Sequence, residues 1–257
     1  MKNILHLFFG LIVLSTGLFA QDKIEDNSFL IEEAYNQEKG VVQYINTFRR
    51  DRGGVWAYSL TNEMPVKTQK HQFSYTIPIA QAGNGIGIGD IAMNYRYQAY
   101  LSEKVAVSPR VSLLIPTGDA EKGLGTGGIG VQVNLPVSVS VSKKVVTHSN
   151  IGGTFTPRAK NELGQRAAAN DFFAGQSVIY LAHPNFNAMF ETLYENKATV
   201  IGNNLTTRRN VVTLNPGIRW AHNLKSGWQI VPGVAVPFGV GPSWKESGVF
   251  LYLSFEK

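Results

Sequence analysis

The chain contains no cysteine. That excludes a disulfide scaffold and every metal centre built on thiolates. Beyond residue 14 it has no apolar run of the roughly twenty residues that a membrane-spanning helix needs. The five histidines form no metal-ligand spacing, and His71, His183 and His222 fall in or beside turn signals. No cofactor motif survives inspection either. GNGIGIG at 83–89 has the glycines of a nucleotide loop but no following helix, so it reads as a loop entering a strand.

What is present begins with a leader. Lys2 supplies a positive start, residues 4–14 (ILHLFFGLIVL) are almost wholly apolar, and Leu18 and Ala20 precede Gln21. This is the layout of a cleaved secretory signal over residues 1–20, with an uncleaved anchor as the alternative. The net charge of +6 could suit nucleic acid, but export argues against it. The phosphates of lipopolysaccharide in a Gram-negative bacterium are the acidic neighbours expected. Residues 21–40 carry six carboxylates against two lysines and show no strand alternation. They read as an acidic periplasmic N-terminal segment, with one helical turn around 29–36.

From Val41 to the end, segments alternate with a period of two. Ile91, Met93, Tyr95 and Tyr97 share one face, with Asn94 and Arg96 on the other. Val111 and Leu113, Val131, Val133 and Leu135, and Trp228, Ile230, Val234 and Val236 repeat the pattern. The expected strands are 41–48, 55–64, 71–79, 89–101, 105–117, 128–140, 145–156, 172–181, 186–195, 210–221, 228–239 and 247–256. An even count puts both termini on one side, as single-chain outer-membrane barrels require. Links at about 67, 102–104, 143, 183–185 and 222–227 are short. Those at 118–127, 157–171, 196–209 and 240–246 are mostly longer, the alternation a barrel shows between its periplasmic and outer ends. Trp220 and Trp228 flank a short link, and Trp56, Phe238 and Trp244 flank outer loops, as two aromatic belts would. Phe255 stands two residues from the end.

A soluble β-sandwich also alternates, but its exposed face is normally charged. Here the non-apolar face is mostly Gly, Ser, Asn, Gln and Thr, which suits a lumen. The expected fold is therefore all-β: a transmembrane antiparallel β-barrel of about twelve strands over residues 41–257, in the outer membrane.

The runs GDIAMNYRYQAYL (89–101), RVSLLIPTGD (110–119) and GLGTGG (123–128), with SFLIEEAYNQEKGVVQYI (28–45) and KHQFSYTIPI (70–79), cover much of the mature chain. They resemble the family labelled MetA-pathway of phenol degradation, whose members are regarded as outer-membrane transporters. The resemblance implies the barrel and passage of small molecules. These motifs mark strands and turns rather than a reaction, so no substrate and no functional residue is carried over.

The lumen candidates are Asp90, Arg96, Arg110, Glu191 and Arg219, with Glu195 beside them. If residues 102–104 form the turn, Arg96 faces Arg110 on the inward side. Opposed like charges are destabilising, so the pair invites a counter-charge or an anionic solute. One reading is a charged constriction that tunes solute choice; the other is a salt-bridge network filling a closed lumen. Glu32 and Glu33 could also enter the barrel against these arginines as a plug, the alternative to a mobile periplasmic tail. In the outer loops Arg49, Arg50, Arg52, Lys160, Arg208 and Arg209 could meet lipopolysaccharide phosphates or be ordinary solvated charge. Catalysis is not expected: His148 and Ser149 are adjacent on a strand and point to opposite faces. The function expected is a channel or transporter for small molecules, apolar or aromatic ones included. A closed barrel acting structurally or through its loops is the alternative.

Overall fold

The computed structural model describes residues 28–82 and 85–257; the expected leader lies outside them. Twelve antiparallel strands close into one barrel. They are β1 (Gln43–Asp51), β2 (Trp56–Val66), β3 (Thr68–Ala82), β4 (Gly85–Ile88, Ile91–Tyr97 and Tyr100–Leu101) and β5 (Val105–Val107 and Arg110–Ile115). There follow β6 (Gly130–Ser142), β7 (Val145–Lys160), β8 (Arg166–His183) and β9 (Phe186–Gly202). The last three are β10 (Leu205–Trp220), β11 (Gln229–Ala235 and Phe238–Gly239) and β12 (Gly248–Glu256). β1 pairs with β2 on one side and β12 on the other, which closes the sheet and leaves no edge.

Two expected loops are not loops. Residues 157–171 and 196–209 are largely strand, because β7 to β10 run 16, 18, 17 and 16 residues. About 9–11 residues cross a bilayer, so these strands continue beyond it. Their outer portions carry no regular alternation to betray them, only a small buried apolar cluster of Ala159, Ala167 and Val200, yet ladder pairing needs no lipid. β7 and β8 are joined by a turn in which Asn161 Oδ1 accepts from the Leu163 and Gln165 amides at 3.1 and 3.0 Å.

The sheet is inverted relative to a soluble protein. Tyr95, Val111, Leu113, Val133, Ile151 and Val178 are exposed on the outer wall. Asn94, Arg96, Ser112, Asn134, Asn150 and Ser177 are buried on the inner one. Such a surface is stable only with hydrocarbon outside. At the short-turn end Tyr44, Trp228, Ile230 and Phe255 line one outward groove, and the Lys257 ammonium lies 5.6 Å from the Trp228 ring.

Candidate functional site

The inner wall is polar because it faces a polypeptide. Residues 28–38 do not trail from the barrel; they thread its interior, touching β3, β4, β5, β6, β7, β8 and β9 through hydrogen bonds. No one face of a strand could supply partners on all these elements, so the segment lies inside. The expectation of a mobile tail is thereby replaced for these residues. They form no helical turn, only bends.

An irregular buried segment must find a partner for each backbone polar group. Here the barrel's side chains provide them. Glu191 Oε1 accepts from three successive amides, Phe29, Leu30 and Ile31, at 3.1, 2.7 and 3.0 Å. Its Oε2 accepts from Asn215 Nδ2 at 2.6 Å. Asn150 accepts from the Glu32 amide and donates to the Glu32 carbonyl, both at 2.8 Å. Ser138 Oγ accepts from the Ala34 amide at 2.7 Å, Gln98 Oε1 from Asn36 at 3.0 Å and Gln72 Oε1 from Gln37 at 2.7 Å. Ser108 Oγ donates to the Ala34 carbonyl at 2.6 Å.

The two arginines are opposed in register, as the turn reasoning expects. The turn itself is wider: Leu101 pairs with Ala106, and an irregularity between that point and Arg96 restores the pairing. Their counter-charges come partly from the segment. Arg110 Nε and Nη2 meet the two Glu32 carboxylate oxygens at 2.9 and 2.7 Å, a two-point pair. Arg110 also donates to Asn94, Gln132 and Ser112. Arg96, only 4% exposed, donates to the carbonyls of Glu33 (3.0 Å) and Tyr35 (2.6 Å) and to Asn36 Oδ1 (2.8 Å). The Glu33 and Glu63 carboxylates lie 4.0 and 3.9 Å from it.

Apolar contacts seat the other end. The Phe29 ring lies 5.4 Å from those of Phe250 and Tyr252. It packs where Gly217 and Gly233 have no side chain: a Cβ there would come within 2.5 and 2.7 Å of the ring. Gly175 leaves the space for Ile31 in the same way.

Of the five candidates, three therefore converge on the segment: Arg96, Arg110 and Glu191. Asp90 does different work. Its carboxylate accepts from the Gly118 amide (3.0 Å) and from the Thr126 amide and hydroxyl (both 2.7 Å), fastening the loop after β5. Arg219 is buried on the inner wall opposite Gly233. Glu195 pairs with Lys197 at 2.9 Å. Asn150, Ser138, Gln98 and Gln72 were not singled out from the sequence. Uncharged and scattered over four strands, they signal only through inward parity.

Ser149 faces outward to Gln176 at 2.6 Å, opposite His148. His148 Nδ1 instead lies 2.7 Å from Ser138 Oγ. Both are fully buried, and Ser138 is occupied by the Ala34 amide, so the pair holds the segment rather than a substrate.

These features define a class: the chain is an outer-membrane β-barrel. No family model and no curated protein matches it in sequence. Solved structures match in fold. An outer membrane channel from Pseudomonas putida F1 is 13% identical with a TM-score of 0.62, over 87% of this chain and 97% of that one. The KdgM porin is 8% identical with a TM-score of 0.53, over 84% and 98%. The NanC porin is 10% identical with a TM-score of 0.53, over 83% and 98%. At these identities the likeness is one of fold.

Proposed function

We propose that the protein is an outer-membrane channel for small molecules whose lumen is occupied, and thereby gated, by its own N-terminal segment. The observation that carries this is how residues 28–38 are held. They bond to side chains and not to a strand ladder, so they can leave without breaking the barrel. The solved porins and channels of like fold support a channel role. The solutes proposed are small molecules, apolar or aromatic ones included. The polar inner wall, once vacated, would be wetted and able to pass solute. The outer wall would sit among lipid and lipopolysaccharide, with both termini on the periplasmic side.

The occupied lumen also favours a second reading, a permanently closed barrel acting structurally or through its loops. Ionic current through single barrels in a planar bilayer separates the two. The channel reading expects small or rare openings from the intact mature chain and large, steady steps once residues 21–38 are deleted. A folded deletion variant with no current would overturn it and leave the closed barrel.

A further inference from the structure

The outer wall carries a built feature near the loop end of β6, β7 and β8. A groove of about 510 Å³ runs between Val131, Val133, Ile151, Phe155 and Phe172. Gly153, in its floor, supplies no side chain. At one end the Arg208 guanidinium lies 5.6 Å from the Phe172 ring centroid. Arg208 also donates to Asn196 Oδ1 at 2.5 Å and to the Asn170 carbonyl at 2.8 Å. All its partners among the described residues are neutral. The one carboxylate lining the groove, Asp171, is turned to the Ala198 amide at 2.7 Å.

The depth of this feature follows from the strands. Trp220 closes β10 at the short-turn end, and Arg208 stands twelve residues along the same strand. At about 3.3 Å per residue and a tilt of about 40°, Arg208 lies about 30 Å above Trp220. Phe172, eleven residues from the end of β8, lies about 28 Å up by the same measure. An outer-membrane barrel's apolar band is about 25 Å tall. The groove thus straddles the upper edge of the hydrocarbon: Ile151, paired with Ala174 nine residues from the end of β8, lies within it at about 23 Å, while Phe172 and Arg208 stand at the level of the outer headgroups. Neighbouring Tyr194, Asn196 and Asn210 form an exposed hydrogen-bonded patch at that level.

We infer that this is a specific site for the lipid A portion of lipopolysaccharide. One acyl chain lies in the groove, one phosphate meets Arg208, and the amide patch faces the sugar. The phosphate commits the site to an anionic lipid, since a planar guanidinium suits it. The polar patch favours a sugar headgroup, and the outer level excludes inner-leaflet lipids.

The test is native mass spectrometry of the full exported chain in detergent. It would be titrated with bis-phosphorylated lipid A, with the same lipid freed of phosphate, and with phosphatidylglycerol. The wild type should hold lipid A at least about tenfold more tightly than the phosphate-free lipid, the effect of one charge-assisted contact, and more tightly than phosphatidylglycerol, which keeps a phosphate but lacks the sugar that the amide patch faces. Arg208→Gln should lose a similar factor, and Val133→Trp, which fills the groove, should weaken binding through the acyl chain. Both positions are exposed, so folding is spared, and the phosphate-free arm needs no variant. Equal binding of all three lipids to the wild type would mean unspecific lipid coating and overturn the site. Unchanged lipid A affinity in both variants would overturn its placement.

Discussion

The carboxylate of Glu191 is the largest single anchor of the threaded segment, and removing it gives the sharpest consequence. In Glu191→Ala the amides of Phe29, Leu30 and Ile31 lose their shared acceptor. Each buried donor left unpaired costs about 1–3 kcal/mol. If all three stayed buried the penalty would be about 3 kcal/mol at the least. At 1.4 kcal/mol per tenfold, that shifts the ratio of seated to released segment by roughly a hundredfold. Water that enters with release can solvate the amides, so release is the cheaper course. The absence of native cysteine makes a clean assay possible. Ala34 is fully buried against Ser138 and Gln98, and Ala34→Cys adds one sulfur atom. In an otherwise native barrel that thiol should react slowly with a polar maleimide. With Glu191→Ala added it should react many times faster, and single-barrel current should rise in parallel. Equal labelling rates and equal current in the two proteins would refute the reasoning.

Other substitutions probe the remaining parts. Gly233→Leu, whose Cβ would meet chiefly the Phe29 ring, should evict Phe29 from its seat and raise current in bilayers without lowering the yield of folded barrel seen by gel mobility. Arg110→Met strands the Glu32 carboxylate inside the barrel, so proteolysis of the released segment should quicken by tenfold or more, while Arg110→Lys keeps part of the protection. Asp90→Ala removes three bonds to the loop after β5; amide exchange at 118–126 should quicken, with little change in current. Val178→Arg places a charge on the outer wall near mid-bilayer, five residues from the end of β8. It should cost about 2–4 kcal/mol in refolding into lipid, a cost that the inward Ser177→Asn would not incur.

The barrel was legible because its outer wall obeys one rule for long stretches. Met93, Tyr95, Val111, Leu113, Val131 and Val133 alternate with polar neighbours, and parity alone assigns each to lipid or lumen. The inward facing of Arg96 and Arg110 was legible for the same reason; their direct opposition was not secured by the turn, which is wider than expected, and holds because an irregularity between Leu101 and Arg96 offsets the difference. The extension of β7 to β10 beyond the membrane was not. Sequences such as PRAKNELGQRAAAN lose the regular alternation, since the side chains that pack there, Ala159 and Ala167, are too small to mark a face, while the backbone pairing goes on. The seating of residues 28–38 was only half legible. Their charges suggested partners for the arginines. The decisive bonds, however, run from backbone amides to Glu191, Asn150, Ser138, Gln98 and Gln72, and a backbone amide has no signature in sequence.

The manner of holding bears on what the barrel can do. A segment added to the wall as a thirteenth strand would be fixed by a ladder and by closure, and no local event could remove it. A segment packed by apolar side chains alone would leave its amides unpaired. Here barrel side chains serve the backbone groups, Glu191 three amides and Arg96 two carbonyls, each such bond worth about 1 kcal/mol net because water can replace it. Together they seat the segment firmly, yet each can be exchanged for water one at a time. Release would break no strand pair, so the wall would stay closed against lipid while the lumen opened. On the channel reading proposed above, that separation of an unyielding wall from an exchangeable filling is what would let the segment act as a gate.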